Sequence, residues 1–208
     1  MKNYTHRHAV LRHGIHRVFF LSLLFMLNLG LLHATWDSPD FITSQSSTAV
    51  KTQEMLGNIG LVALNLFAIT LIAHNEDKAG LREYLYGIST TTALSFGGKY
   101  LIKRPRPDGS DNYSMPSAHS AYSFFAATFI TKRYGEKYNT PAYAAATFVA
   151  YSRVAARKHN ISDVIVGGFL GATVASLFTT QYKVNSYTLS VVPTLAKDSF
   201  HIQLNLSS

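Results

Sequence analysis

Long apolar runs separated by short polar turns dominate this chain. Residues 35–56 are polar and rich in Ser and Thr, which is typical of a surface segment with room for a short helix. Residues 57–74 are uncharged and of helix length, and residues 82–100 alternate small and apolar side chains. Pro105 and Pro107 end this second predicted helix, because proline removes a backbone donor and disfavours helix just before it. Three more helices are predicted, over residues 117–133, 141–153 and 160–181. The pattern predicts an all-α fold, an antiparallel bundle of about five core helices.

The two ends of the chain depart from this helical pattern. Residues 17–34 (RVFFLSLLFMLNLGLLHA) form an apolar run behind basic residues, and the small Ala34 closes it. This arrangement is typical of a secretory signal peptide, either cleaved or retained as an N-terminal anchor. Near the C-terminus, YTLSVV and FHIQLNL are rich in β-forming residues and predict a small hairpin or extended tail. The expected organisation is a leader (1–34), a helical domain (35–182) and a β-like tail (183–208).

Charge is scarce and unevenly distributed. Only 14% of the residues are charged, which is typical of a tightly packed bundle or a membrane protein. Much of the formal net charge of +8 comes from the basic leader and from two further clusters. These clusters are Lys99, Lys103, Arg104 and Arg106, and then Arg153, Arg157 and Lys158. Such concentration suits an anionic ligand held at one place, whereas a nucleic-acid-binding face spreads its basic residues. No nucleic acid partner is therefore expected. The absence of cysteine excludes disulfides and cysteine-based metal sites.

The residues best suited to phosphate chemistry lie at the ends of predicted helices. In chain order they are Lys99, then Ser117 with His119, then Arg153, then His159 with Asp163. They alternate between the end of one helix and the start of the next. Because successive helices of a bundle run antiparallel, these ends meet at one pole. The topology therefore predicts a single site built from three remote segments.

These residue types can bind and transfer a phosphoryl group. Arg106 and Arg153 carry planar guanidinium groups that fit phosphate, and a helix start offers unpaired backbone N–H groups. His159 and Asp163 share a helix face if the helix begins early enough. A carboxylate bonded to one ring nitrogen would then leave the other nitrogen free to attack phosphorus. His119 can protonate the departing alcohol. Since cations replace a metal in this scheme, no metal or cofactor is expected.

The segments that carry these residues resemble the signature of the type 2 phosphatidic acid phosphatase superfamily. The matching segments are KYLIKRPRP (99–107), PSAH (116–119) and SRVAARKHNISD (152–163). They occur in the family's order and with its spacing, within a resemblance that covers about residues 80–182. One position departs from the pattern, because Ala118 stands where the family usually has glycine. The added methyl group would matter if the site needs close backbone approach or a positive φ. Its effect is mild if Ala118 is already helical, and activity is expected to be retained.

The resemblance implies an all-α bundle and a role for each matching residue. The implied phosphate-binding residues are Lys99, Arg106, Ser117, Ala118 and Arg153. The implied catalytic residues are His159 as nucleophile, His119 as acid and Asp163 as the support of His159. The expected function is a metal-independent phosphatase that acts on a lipid phosphate or pyrophosphate through a phosphohistidine.

Two alternatives to the lipid phosphatase stay open. One is a soluble periplasmic acid phosphatase acting on small phosphate esters, and the other is a non-catalytic phosphate- or lipid-binding relative disabled at Ala118. Residues 57–74 and 164–180 are uncharged and nearly as long as the roughly 20 residues needed to cross a bilayer. We therefore expect an exported protein associated with the inner membrane, with its site on the periplasmic face.

Overall fold

The computed structural model describes residues 46–182 and the backbone of two further strands, and this part of the chain is built on five helices. The helices are α1 (Ser47–His74), α2 (Lys78–Ile102), α3 (Ala118–Tyr134), α4 (Asn139–Ala155) and α5 (Ile161–Phe178). A short 3-10 helix, Glu136–Tyr138, precedes α4. The strands β1 (Thr188–Ala196) and β2 (Ser199–Ser207) pair antiparallel.

Side-chain caps fix where several helices begin. The Ser46 hydroxyl accepts a hydrogen bond from the Ala49 N–H at 3.3 Å and opens α1. The Asp77 carboxylate accepts from the Gly80 N–H at 2.8 Å and opens α2. These contacts satisfy backbone donors that have no partner within the helix. At its other end α2 stops at Lys103, whose φ of 49° lies in the left-handed region.

Helix α3 is the centre of the bundle and contacts each of the other four helices. Its inward side chains are fully buried, among them Phe125, Phe129 and Ile130. Burial of large apolar side chains is the main source of stability of such a core, about 1.5–3 kcal/mol for each. The predicted site residues at the first turn of α3 thus lie on a helix that is packed on all sides.

The all-α bundle predicted from the hydrophobic pattern is confirmed. The strands β1 and β2 lie within the segment for which the sequence predicts a hairpin or extended tail. The boundary of the first helix is wrong. The sequence predicts it from residue 57, but α1 begins at Ser47, inside the polar segment. The extra turns are stabilised by the Ser46 cap and by packing on α4, which local polarity does not reveal. The predicted leader (1–34) lies outside the described residues.

The antiparallel arrangement gives the bundle two distinct poles. The end of α2, the start of α3, the end of α4 and the start of α5 lie at one pole, as the sequence predicts. At the other pole the side chain of Arg133 is buried with Asp77, which it contacts through Nε at 2.6 Å. A second contact joins the same guanidinium to Glu83 at 3.0 Å. Helix α2 runs from one pole to the other, and at 1.5 Å per residue its length places the two poles roughly 30 Å apart.

Candidate active site

One cavity of about 500 Å³ opens at the first pole of the bundle. The predicted site residues that line it are Lys99, Arg106, Ala118, His119, Arg153 and His159. The structure therefore brings six of the eight predicted site residues to one place. The other two, Ser117 and Asp163, lie behind the cavity wall and are fully buried.

The ring of His159 is held in one tautomer by groups on both sides. On the cavity side, Nη1 of Arg106 lies 3.3 Å from Nε2. A guanidinium group can only donate, so Nε2 is the unprotonated nitrogen and Nδ1 carries the proton. On the other side, Nδ1 lies 3.4 Å from the hydroxyl oxygen of Ser114. The Nε2 lone pair therefore lies on the cavity side of this histidine.

Ser114 connects His159 to Asp163. Its hydroxyl donates to Oδ2 of Asp163 at 2.5 Å, whereas Nδ1 of His159 lies 3.9 Å from the same oxygen. The expected direct bond between histidine and carboxylate is therefore wrong. His159 precedes the Asn160 cap and is not yet helical, so the two residues do not share a helix face. The carboxylate instead accepts from the Asn160 N–H at 2.8 Å, which caps α5.

Arg104 neutralises the buried Asp163 from the far side. Its Nη1 atom donates to Oδ1 of Asp163 at 2.9 Å and to the Ser162 hydroxyl at 2.5 Å. Asp163 has no exposed side-chain surface, and a buried charge is tolerated when it is paired and hydrogen-bonded. Arg104 therefore stabilises the buried carboxylate behind the site. Its position in a cluster of basic loop residues does not indicate this role.

The second imidazole, His119, is tied to helix α1. Its Nε2 atom lies 2.9 Å from Oδ1 of Asn58. The same oxygen accepts from Nη1 of Arg153 at 3.1 Å. A further Arg153 contact runs from Nη2 to the backbone oxygen of Glu54 at 2.5 Å. The early turns of α1 are thus part of the site wall, although the sequence assigns Glu54 to a surface segment.

Lys99 and Arg106 complete the positive wall of the cavity. Lys99 Nζ donates to the Tyr113 carbonyl oxygen at 2.6 Å, and Arg106 Nε pairs with Asp111 at 2.7 Å. Arg106 also donates through Nη1 to the Lys158 carbonyl oxygen at 3.0 Å. These bonds fix the loop between α2 and α3 over the cavity, so the cations are oriented before any anion binds.

The cationic surroundings and burial shift the pKa values of the site groups. Burial and then the charge of Arg106 lower the pKa of Lys99 to about 8. Burial lowers the pKa of His119 to about 4, with Arg153 the next cause. Burial, followed by Lys99 and Arg106, lowers the pKa of His159 well below its ordinary value. Both imidazoles are therefore neutral in the free site at neutral pH, and a bound anion opposes these shifts.

The first turn of α3 presents backbone groups more than side chains. The Ser117 hydroxyl faces its own helix, where it accepts from the Ser120 N–H at 3.4 Å, and its own N–H donates to the Asp163 carbonyl at 2.9 Å. Ser117 therefore acts here as the helix cap rather than as part of the cavity lining. Ala118 is the first residue of α3 and its φ is not positive. The methyl group of Ala118 thus imposes no backbone strain.

Sequence reasoning missed four contributors to the site, namely Asn58, Glu54, Arg104 and Ser114. Glu54 lies in the polar segment 35–56, Asn58 is one polar residue in the apolar run 57–74, and Ser114 lies in a loop. Arg104 is the only one of the four with a signal, since it repeats the Arg-Pro pair two residues before Arg106. Lys158 lies at the rim, paired with Asp108 at 2.9 Å.

Comparison with known proteins places these segments in one family. The family model for the PAP2 superfamily matches residues 80–187. A lipid A 1-phosphatase of Porphyromonas gingivalis is 35% identical over 94 residues, 44% of this chain and 21% of that protein. A lipid A 4'-phosphatase of Helicobacter pylori is 32% identical over 141 residues, 62% of this chain and 71% of that protein. The chain thus spans about a fifth of the first relative and most of the second.

A solved structure shares the fold at lower identity. The crystal structure of a transmembrane PAP2 type phosphatidylglycerolphosphate phosphatase from Bacillus subtilis superposes with a TM-score of 0.60 at 22% identity. The match covers 76% of this chain and 92% of that chain. The likeness therefore extends over most of the helical bundle and beyond the segment that the family model matches.

Proposed function

Because the chain belongs to the PAP2 superfamily, we propose that it is a phosphatase that cleaves a phosphorylated lipid through a phosphohistidine intermediate. The observation that carries this proposal is the convergence of His159, His119 and the cations of Lys99, Arg106 and Arg153 on one cavity. The cationic side chains of that cavity suit a phosphate group, and the two imidazoles on its wall are available for the two steps of a displacement.

In the first step, Nε2 of His159 attacks phosphorus and forms a P–N bond as the P–O bond to the lipid alcohol breaks. The low pKa of His159 supports this role, because the neutral ring keeps its lone pair at working pH. The departing oxygen takes a proton from His119 and leaves as the neutral alcohol. The phosphate dianion raises the pKa of His119 by charge attraction, so the substrate itself favours the protonated acid.

In the second step, water attacks the phosphohistidine. His119, now neutral, takes a proton from that water as the P–N bond breaks, and the electron pair returns to Nε2 of His159. Inorganic phosphate leaves and the site is restored. Arg106, Arg153 and Lys99 stabilise the charge on the phosphoryl oxygens in both steps. Backbone N–H groups at the start of α3, near Ala118, add donors that need no side chain.

A lipid substrate is supported by the relatives and by the surface of the bundle. Both relatives named above act on lipid A phosphates according to their names. Helix α1 is 28 residues long, about 42 Å at 1.5 Å per residue, which exceeds the roughly 30 Å of a bilayer core. Much of its apolar surface is exposed, including Met55, Leu56, Ile59, Val62, Leu66, Phe67 and Ile69. Lipid tails would cover this face, which water disfavours.

Helix α5 is the second helix that is long and apolar enough to span a membrane, but half of its residues are buried in the bundle. We infer that α1 faces the lipid most directly and that α5 supports the core. The first pole, with its open cavity lined by cationic side chains, then lies at the membrane surface. Placement of this pole on the periplasmic face, after export by the leader, completes the proposal.

A substrate screen tests the proposed function. Purified full-length protein is assayed for phosphate release from lipid A phosphates, phosphatidylglycerol phosphate, an isoprenyl diphosphate and p-nitrophenyl phosphate, each with and without detergent. We expect release from at least one lipid phosphate, none from the His159→Ala variant, and full activity in EDTA. Release from p-nitrophenyl phosphate alone, independent of detergent, would favour the soluble acid phosphatase. Binding of lipid phosphate without any release would favour the non-catalytic relative.

A further inference from the structure

Asn58 lies in α1, outside the segment that the family model matches, and contacts two site residues at once. Its Oδ1 atom lies 2.9 Å from Nε2 of His119 and 3.1 Å from Nη1 of Arg153. The orientation of the amide is determined, because the guanidinium group of Arg153 only donates and must face the oxygen. The same oxygen requires His119 to carry its proton on Nε2. In the neutral ring Nδ1 is then the nitrogen left to exchange a proton with the substrate.

The backbone around Asn58 is shaped to keep this contact. One turn earlier the Glu54 carbonyl oxygen accepts from Nη2 of Arg153 at 2.5 Å. The residue directly before Asn58 is Gly57, where an added Cβ would lie 1.9 Å from the Ser152 hydroxyl oxygen and 2.4 Å from Nη2 of Arg153. Only a residue without a side chain allows α1 to approach α4 this closely. Arg153 is thus held by α1 through both the Glu54 carbonyl oxygen and the Asn58 side chain.

We infer that Asn58 is a positioning residue, whose side-chain oxygen fixes the ring of His119 relative to the guanidinium of Arg153. This inference rests on the proposed function, since the two groups it aligns are the acid and a phosphate-binding cation. A carboxamide oxygen is suited to the task because it accepts from both groups without adding a charge. A carboxylate in its place would neutralise part of the positive potential that attracts the phosphate group.

The charged groups around His119 come from every element that borders the cavity. They are Glu54 of α1, Lys99 of α2, Arg106 and Asp111 of the following loop, Arg153 of α4, and His159 with Lys158 before α5. Most of these groups are cationic and oppose protonation of His119. The acceptor supplied by Asn58 acts in the other direction, because a hydrogen bond from Nε2 is stronger when the ring is charged.

The test compares Asn58→Ala and Asn58→Asp with Asn65→Ala, a matched control on the same helix. Asn65 bonds Tyr84, not a site residue, with its Oδ1 atom 2.6 Å from the hydroxyl oxygen. The readout is kcat/KM against pH for the full-length enzyme with its best lipid phosphate. For Asn58→Ala we expect a loss of about tenfold and an alkaline limb at lower pH. For Asn58→Asp we expect the alkaline limb to move about one pH unit upward, because an anion beside the ring favours its protonated form. Asn65→Ala should keep the wild-type profile.

A second readout does not depend on activity. The ring ¹⁵N shifts of His119, assigned by loss of its signals in His119→Gln, report which nitrogen carries the proton. We expect the Nε2–H form in the wild type and a mixture of tautomers in Asn58→Ala. Superimposable pH profiles in both Asn58 variants, or an equal shift in Asn65→Ala, would overturn the inference. An inactive wild type that still shows the Asn58-dependent Nε2–H form would sink the proposed function and leave the positioning contact standing.

Discussion

The Nδ1 atom of His159 and the Oδ2 atom of Asp163 lie 3.9 Å apart, and the hydroxyl of Ser114 bridges them. The histidine is therefore oriented through the hydroxyl of a serine, which can donate one hydrogen bond and accept others through its oxygen. Because Ser114 donates to the carboxylate at 2.5 Å, it accepts from the ring. The charge of Asp163 therefore acts on the His159 ring through the Ser114 hydroxyl.

Removal of this link should slow the chemical step. We expect Ser114→Ala to lower kcat about tenfold, since the ring loses its acceptor and the carboxylate loses one of its donors. Steady-state kinetics on the lipid phosphate measure the effect. Ser123→Ala is the matched control, because that hydroxyl is also buried but has no hydrogen-bond partner in the described part of the chain. Equal kcat values for Ser114→Ala and wild type would show that the bridge is not used.

The close approach of α5 to the start of α3 should be equally sensitive. A Cβ added at Gly167 would lie 2.3 Å from the Ser117 carbonyl oxygen, so Gly167→Ala must push the first turn of α3 away. We expect roughly a hundredfold loss in kcat/KM, the scale of a displacement of about 1 Å at a reacting centre. Overpacking should also lower the free energy of unfolding by about 1–3 kcal/mol.

Gly97→Ala provides the control for this prediction. Gly97 lies within α2, and a Cβ there would meet nothing within 4 Å. The substitution should raise stability by about 0.5–1 kcal/mol through helix propensity, with unchanged turnover. Thermal unfolding and kinetics of the two alanine variants are measured side by side. If both glycines tolerate alanine equally, the close contact between α3 and α5 is not needed.

The buried pair at the second pole should govern stability rather than catalysis. Arg133→Ala leaves Asp77 as an unpaired buried charge, which typically lowers the free energy of unfolding by about 3–5 kcal/mol. Denaturant unfolding in detergent measures the loss, with the exposed Arg82→Ala as the control expected within about 0.5 kcal/mol. At a temperature where Arg133→Ala is still folded, kcat should match the wild type. A stable but inactive variant would contradict this division of roles.

Stability should fall on mild acidification because the site histidines resist protonation. The pKa of His119 is about 4 in the folded protein and about 6.5 in the unfolded chain. Between these values the unfolded state binds more protons than the folded state. The free energy of unfolding therefore rises with pH across this window and decreases as the pH falls. The lowered pKa of His159 acts in the same direction.

Unfolding temperatures measured from about pH 7 to pH 5 test this sign. We expect a weaker pH dependence in His119→Gln, which has no ring to protonate at this position. The carboxylate of Asp108 does not interfere, because its pKa, raised by burial but lowered more by Lys158, is about 2. Stability that increases from pH 7 to pH 5 would show that the imidazoles are protonated in the folded state.

The bundle and the meeting of helix ends could be predicted because both follow from periodicity and antiparallel topology. Lys99, His119, Arg153 and His159 all lie at or next to helix ends, where sequence signals are strong. The roles proposed for them come from chemistry that the residue types and their spacing already suggest. Their convergence on one cavity is a structural fact that stands apart from those roles.

The contributions of Ser114 and Asn58 could not be predicted, because each depends on tertiary contacts without a local pattern. Ser114 lies in a loop and reaches residues 45 and 49 positions away. Asn58 reaches His119 across 61 positions. The direct bond expected between His159 and Asp163 was wrong for a related reason. Spacing by four implies a shared face only inside a helix, and His159 lies before the helix starts.

The buried Arg133–Asp77 pair has a practical consequence for anyone who alters this protein. Because this pair lies at the pole remote from the cavity, we expect that its contribution to stability can be changed without altering the site. Substitutions at the cavity rim, made to change the substrate preference, can therefore leave the Arg133–Asp77 pair unchanged. Conversely, substitutions that improve packing around the Arg133–Asp77 pair should raise stability without slowing turnover.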